Sequence, residues 1–227
     1  RQRQMCIRDS LDRAVALDST WTPALTLRSE VLGDLDPGRA RAEADRLIES
    51  GGGDARALIA RGHARLRQND LRGAIDDHRR ATELAPGDAR AWYGLGACLA
   101  MANENEAALA AFERSFQLEP KQARLLSDRA VVKQNLGDLR GAADDLTRSI
   151  ELDSSNAVAW TNRAAMRREL GERAEAHADV DHALALDPRY PAAWTNRGLM
   201  RLQESDHRGA VDDLSRALEL DPDVAVV

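Results

Sequence analysis

Lysine is nearly missing from this chain of 227 residues: of its 32 basic residues only Lys121 and Lys133 are lysines. That bias fits a GC-rich, bacterial coding sequence and carries no information about partners. Aromatic residues are equally scarce, at 4%. The apolar surface must therefore come from Ala, Leu and Val, a mixture suited to closely packed helices rather than sheets. Stacking platforms for nucleic acid are excluded by the same scarcity, together with the net charge of -6. No apolar run approaches the roughly 20 residues that cross a bilayer, and nothing resembles a signal peptide. Two cysteines, Cys6 and Cys98, cannot build a disulfide framework. Cys98, between Ala97 and Leu99, reads as a small buried apolar residue rather than a reactive thiol.

What the chain does have is a period. Alanine recurs every 34 residues at 40, 74, 108, 142, 176 and 210, and leucine at 84, 118, 152, 186 and 220. Two columns held in register over so many copies mark one supersecondary unit repeated along the chain. Aligned on the alanines, the units run 21–54, 55–88, 89–122, 123–156, 157–190 and 191–224, with 11–20 as the end of a preceding helix and 225–227 opening another unit. Each unit holds two amphipathic stretches with apolar residues at helical spacing. Asn69-Asp70, Asn103-Glu104, Gly137-Asp138, Gly171-Glu172 and Glu204-Ser205-Asp206 separate the two stretches. Such residues stop one helix and cap the next. Pro86, Pro120 and Pro188 close the second helix, and Asp54, Asp88 or Asn156 caps the first helix of the following unit. The fold class that follows is all-α, a solenoid of about six helix-turn-helix repeats.

The ends stand outside the register. Residues 1–10, RQRQMCIRDS, fit no repeat and resemble a translated sequencing-adapter segment. They carry three Arg and one Asp, so the net charge without them moves from -6 to -8. Asp221-Pro222-Asp223 begins a unit that stops at Val227. The expectation is a fragment of a longer array. The first unit is one residue short in its turn and ends in Gly51-Gly52-Gly53 instead of proline.

More columns sharpen the pattern. Trp92, Trp160 and Trp194 share one slot of the first helix, and Gly62, Gly96, Ala130, Ala164 and Gly198 share another. Ala81, Ser115, Ser149, Ala183 and Ala217 form a small-residue column in the second helix. With the closing prolines, these residues resemble the tetratricopeptide repeat over about 11–227, which implies a right-handed superhelix. One departure is the slot where that family usually carries an aromatic late in the first helix. It holds Arg65, Leu99, Lys133, Arg167 and Arg201.

The resemblance also implies a use. First helices of such repeats line a concave face that holds peptides. Carried over slot by slot, its candidates are Arg56, Arg90 and Arg124, then Ile59 and Tyr93, then Asn162 and Asn196, with His63, Met101, Asn135 and Gln203 further along. Three Arg in one column make a positive ladder that bidentate pairing with carboxylates would suit. The clamp that some members use on terminal carboxylates needs Lys and Asn four residues apart in a first helix, and none occurs here. The functional expectation is a non-catalytic scaffold binding a peptide segment of a protein partner, with an acidic segment as the finer expectation from the Arg column. Two other readings stay open: a regulatory or substrate-recruiting arm of a larger enzyme, and an array that self-associates end to end. Cytoplasm and periplasm both fit as compartments, the first slightly favoured.

One further pattern concerns structure. Arg61, Arg129, Arg163 and Arg197 share a first-helix slot, and Asp77, Asp145, Asp179 and Asp213 follow sixteen residues later. Where the Arg becomes Leu95, the acid becomes Ala111; the short first unit keeps the pair as Arg28 and Glu43. Joint presence and joint loss point to an ion pair within each unit rather than to an acid–base array. No metal or cofactor is expected. The histidines (63, 78, 177, 182 and 207) show no ligand spacing. The Asp pairs lie inside helices without an oxygen-rich loop. Gly94-Leu95-Gly96 lacks a third glycine and a preceding strand.

Overall fold

A computed structural model describes residues 10–13, 15, 27–28, 36–49 and 54–222. The readings of Cys6, of the adapter-like segment before Ser10, of the Gly51-Gly52-Gly53 turn and of residues 225–227 lie outside the described residues, as does most of 14–35. From Pro37 onward the described chain is helical and contains no strand. Helix α1 spans Pro37–Glu49, α2 Ala55–Arg67, α3 Leu71–Leu84, α4 Ala89–Met101 and α5 Asn105–Leu118. There follow α6 Ala123–Asn135, α7 Leu139–Leu152, α8 Ala157–Leu170, α9 Arg173–Leu186, α10 Pro191–Gln203 and α11 His207–Leu220. The chain divides into two compact units, one ending at Pro120 and one beginning at Lys121. Within each, a helix packs against the next in sequence, and the first helices of neighbouring repeats also touch, α2 with α4 and α8 with α10.

The alanine column explains how the helices come this close. Ala40, Ala74, Ala108, Ala142 and Ala176 are fully buried, as are Ala81, Ala183 and Ala217 of the small column. Where that column carries serine, the hydroxyl stays satisfied. Ser115 Oγ donates to Ala89 O at 2.8 Å and Ser149 Oγ to Ala123 O at 2.8 Å, tying each second helix to the start of its own first helix. A glycine is required where the facing residue is large: a Cβ at Gly96 would lie 2.7 Å from the Phe112 ring.

Turn chemistry fixes the helix ends. Asn69, Asn103 and Ser205 take positive φ of 61°, 60° and 66°, and Gly137 and Gly171 take 83° and 82°. Each is followed by the residue that precedes the second helix. Asp70, Asp138 and Asp206 accept from the amides of Gly73, Gly141 and Gly209 at 3.0, 2.9 and 3.0 Å. Glu104 and Glu172, in the intervening repeats, make no such bond. The tryptophans close the turns between repeats. Trp92, Trp160 and Trp194 donate from Nε1 to the carbonyls of Pro86, Ser154 and Pro188 at 3.0, 3.0 and 2.9 Å.

Candidate functional site: the exposed stripe of the first helices

Helical spacing leaves one stripe of each first helix uncovered. In the first unit it carries Arg56, His63 and Arg67 on α2, and Arg90 and Met101 on α4, all exposed. In the second unit it carries Arg124, Val131 and Asn135 on α6, Val158 and Glu169 on α8, and Gln203 on α10. Asn162 and Asn196 are half-buried on the same stripe, and the Asn196 amide is 3.4 Å from Thr161 O. Tyr93 is half-buried against Phe112, with ring centroids 5.9 Å apart.

Ile59 does not belong to this surface. It is 3% exposed and packs with Ala55, Leu58, Ala81 and Ala91. Its slot faces inward here because an isoleucine gains more from that apolar cluster than from solvent. The sequence expectation for Ile59 is corrected accordingly.

The arginine ladder is also less simple than three cations in a row. Arg90 grips the cap of its own helix, with Nη2 2.8 Å from Asp88 Oδ2 and Nε 3.1 Å from Oδ1. The Arg90 hydrogen bond holds the Asp88 carboxyl below its usual range, with the charge of Arg56 a smaller cause in the same direction. Arg56 and Asp88 line one shallow depression with Asp54 and Leu84. In the second unit Arg124 lies 3.8 Å from Asp128, one helical turn on.

Beneath the stripe lie the ion pairs. Arg61, Arg129, Arg163 and Arg197 donate from Nε and Nη2 to both oxygens of Asp77, Asp145, Asp179 and Asp213, over 2.6–2.9 Å. All four carboxylates are buried. Arg28 meets Glu43 at 2.9 Å. The Asp77 hydrogen bond raises the pKa of Arg61, and the Asp213 bond raises that of Arg197, in each case against desolvation. Arg61 and Arg197 also reach back to the preceding repeat, to Asp45 and Asp181, each at 2.9 Å.

A second cation on each carboxylate escaped the sequence reading. Arg65, Lys133, Arg167 and Arg201 stand 2.9, 2.8, 2.7 and 2.9 Å from Asp77, Asp145, Asp179 and Asp213. Three of them also donate to a second-helix carbonyl: Arg65 to Gly73, Lys133 to Gly141 and Arg201 to Gly209. These cations fill the slot noted as a departure from the family aromatic. The signal was present, since Leu99 replaces the cation in the same repeat that carries Leu95 and Ala111. All three of those residues are buried.

Two of the remaining histidines have side-chain partners. His177 bonds Glu204 at 3.0 Å, and the His182 ring lies against Trp160, tilted by 45° with centroids 4.1 Å apart. Burial pushes the Cys98 thiol up to about 12. Among the described residues no three His, Cys, Asp or Glu side chains gather as metal ligands. No described helix is long and apolar enough to cross a membrane.

Two family models described as tetratricopeptide repeat match this chain, one at 95–167 and the other at 32–88, 59–123 and 167–225. The chain belongs to the tetratricopeptide repeat family. No curated protein matches it by sequence. Among solved structures it is similar to PilF of Pseudomonas aeruginosa, at 15% identity and TM-score 0.76, covering 89% of this chain and 94% of that one. It is also similar to YrrB, described as a TPR protein with an unusual peptide-binding site, at 22% identity and TM-score 0.67, covering 81% and 94%. MamA of Desulfovibrio magneticus is similar at 17% identity and TM-score 0.68, covering 75% and 96%. At these identities the likeness concerns the tetratricopeptide fold alone.

Proposed function

We propose that this tetratricopeptide protein is a non-catalytic interaction scaffold that takes a peptide segment of a partner protein on the exposed stripe of its first helices. The observation that carries the reading is the stripe itself: in both units every exposed residue of the first helices except Leu202 falls on it. A preformed helical surface of this kind recognises an extended or helical segment with little reorganisation of its own. The peptide-binding site for which YrrB is described supports the reading by analogy of fold.

For the partner's chemistry we infer acidic side chains, taken in the first unit by Arg56 and Arg90 with His63 and Tyr93 as further contacts, and separately in the second unit by Arg124 with Asn162 and Asn196. An acidic ligand competes with Asp88 for Arg90, since that carboxylate already occupies the guanidinium. Asp88→Asn is therefore expected to strengthen binding of acidic peptides, and Arg56/Arg90/Arg124→Ala to weaken it at least tenfold. A peptide array probed with the three proteins at fixed ionic strength measures this. Equal binding by the wild type and the triple variant removes the ladder; absence of binding to any array peptide by the wild type removes the scaffold reading.

A further inference from the structure

The most anomalous side chain in the described structure is His78. Its slot in the second helix is Ala44, Phe112, Leu146, Val180 and Leu214 in the other repeats, an apolar position throughout. His78 is fully buried there, and neither Nδ1 nor Nε2 has a hydrogen-bond partner. The ring fits because glycine faces it on both sides. A Cβ at Gly62 of α2 would lie 2.8 Å from Nε2, and one at Gly94 of α4 would overlap the ring. A buried imidazole without partners forgoes hydrogen bonds that water would supply, so most cores exclude it.

A proton would make this position far worse. On α2 the group that faces His78 is another imidazole, His63, with ring centroids 5.2 Å apart. On α4 the facing residue is Gly94, which offers no acceptor side chain. On α3 itself the neighbouring carboxylate, Asp77, is committed to Arg61 and Arg65. We propose that His78 is an acid-sensitive latch of the α2–α3 hairpin: a proton on its ring loosens the hairpin, whose opening equilibrium therefore rises in mildly acidic solution and stays low at neutral pH. Because α2 also carries Arg56 and His63 on its exposed stripe, opening dismantles part of that surface. The inference does not depend on what binds there.

The sign follows from burial. Desolvation first, and the charge of His63 second, lower the His78 pKa from 6.5 to about 3. Between those values the opened chain binds a proton that the closed one refuses. Stability is thus complete above about pH 6.5 and lost as pH falls below it, about tenfold in the closing equilibrium per pH unit. At pH 5 the loss is about 30-fold.

The test compares the full chain with His78→Leu, the residue already present at 146 and 214. Native-state hydrogen exchange, corrected for intrinsic rates, is followed from pH 7.5 to 4.5. The opening equilibrium of α2 and α3 amides in the wild type is expected to rise about 30-fold more than in the variant between pH 7.5 and 5. NMR titration of the wild-type imidazole needs no variant. It should show His78 neutral for as long as α3 stays protected. A ring that titrates near 6.5 while the α3 amides keep their protection overturns the proposal, and so does an unchanged pH dependence in His78→Leu. Should that variant fold poorly, His78→Phe, copying Phe112, carries the same comparison.

Discussion

The repeats at 89–122 and 157–190 build the same pair of helices around opposite interiors. Helices α8 and α9 enclose a buried carboxylate, Asp179, gripped by Arg163 and Arg167. Helices α4 and α5 put Leu95, Leu99 and Ala111 in those three slots, all buried. Both second helices are 14 residues long and the left-handed turn residue occupies one slot, Asn103 and Gly171, although α8 runs one residue further than α4. The backbone therefore does not demand the charges. Each filling is consistent only as a set, because a carboxylate buried without cations, or a guanidinium buried without acids, forgoes hydration with no return. Charges add direction, since the planar fork of Arg163 meets both Asp179 oxygens at one geometry.

Breaking the set should produce the largest effect. Arg163→Ala leaves Asp179 buried with one cation and is expected to cost about 3 kcal/mol in urea unfolding at pH 7. The triple change Arg163→Leu, Arg167→Leu, Asp179→Ala copies α4 and α5 and should return to within about 1 kcal/mol of the wild type. A double change that spares Arg167 should fall between the two, because that guanidinium then keeps only Glu172, 3.9 Å away. If the triple variant is no more stable than Arg163→Ala, the three slots are not exchanged as a unit.

How much of this was legible follows from how each contact is encoded. The helices and the Arg–Asp pairs could be read because both partners repeat at a fixed separation and vanish together. The second cation was equally encoded, twelve residues before each acid, but Arg65, Lys133, Arg167 and Arg201 stood where an aromatic was anticipated and drew attention as an absence. Ile59 could not be placed by register alone. Its slot holds Tyr93, Ser127, Thr161 and Thr195 in other repeats, and only the local cluster of Leu58, Ala81 and Ala91 decides that it turns inward. The burial of His78 was likewise encoded, because its column of Phe, Leu and Val marks an apolar slot, but a search for metal-ligand spacing passes over a lone histidine. The Arg90–Asp88 bond is local, two residues apart, and periodicity carries no trace of it.

Packing gives a smaller test of the same comparison. Gly96 faces Phe112 in the apolar repeat, whereas the repeat at 123–156 sets Ala130 and Leu146 in those slots. Gly96→Ala alone is expected to destabilise by about 1–2 kcal/mol through overpacking, net of the better helix propensity of alanine. Phe112→Leu alone should cost a similar amount by opening a cavity. Together they copy the neighbouring repeat and should cost less than either alone, a coupling that a double-mutant cycle reads directly. Additive losses would mean that the glycine serves some purpose other than making room for the ring.

The smallest effect lies in the turns, where the repeats meet one backbone demand with different residues. Gly137 and Gly171 adopt the left-handed conformation without steric cost, whereas Ser205 adopts it at φ 66° with a Cβ in place. That conformation costs a non-glycine residue roughly 1–2 kcal/mol, and the greater chain entropy of glycine when unfolded offsets part of any gain. Ser205→Gly should therefore stabilise the chain by about 0.5–1 kcal/mol. Asn69→Gly and Asn103→Gly should gain less, because asparagine tolerates this region better than serine does. Thermal unfolding of the three single variants ranks them, and an asparagine variant that gains as much as Ser205→Gly would show that the turn's strain does not depend on its side chain.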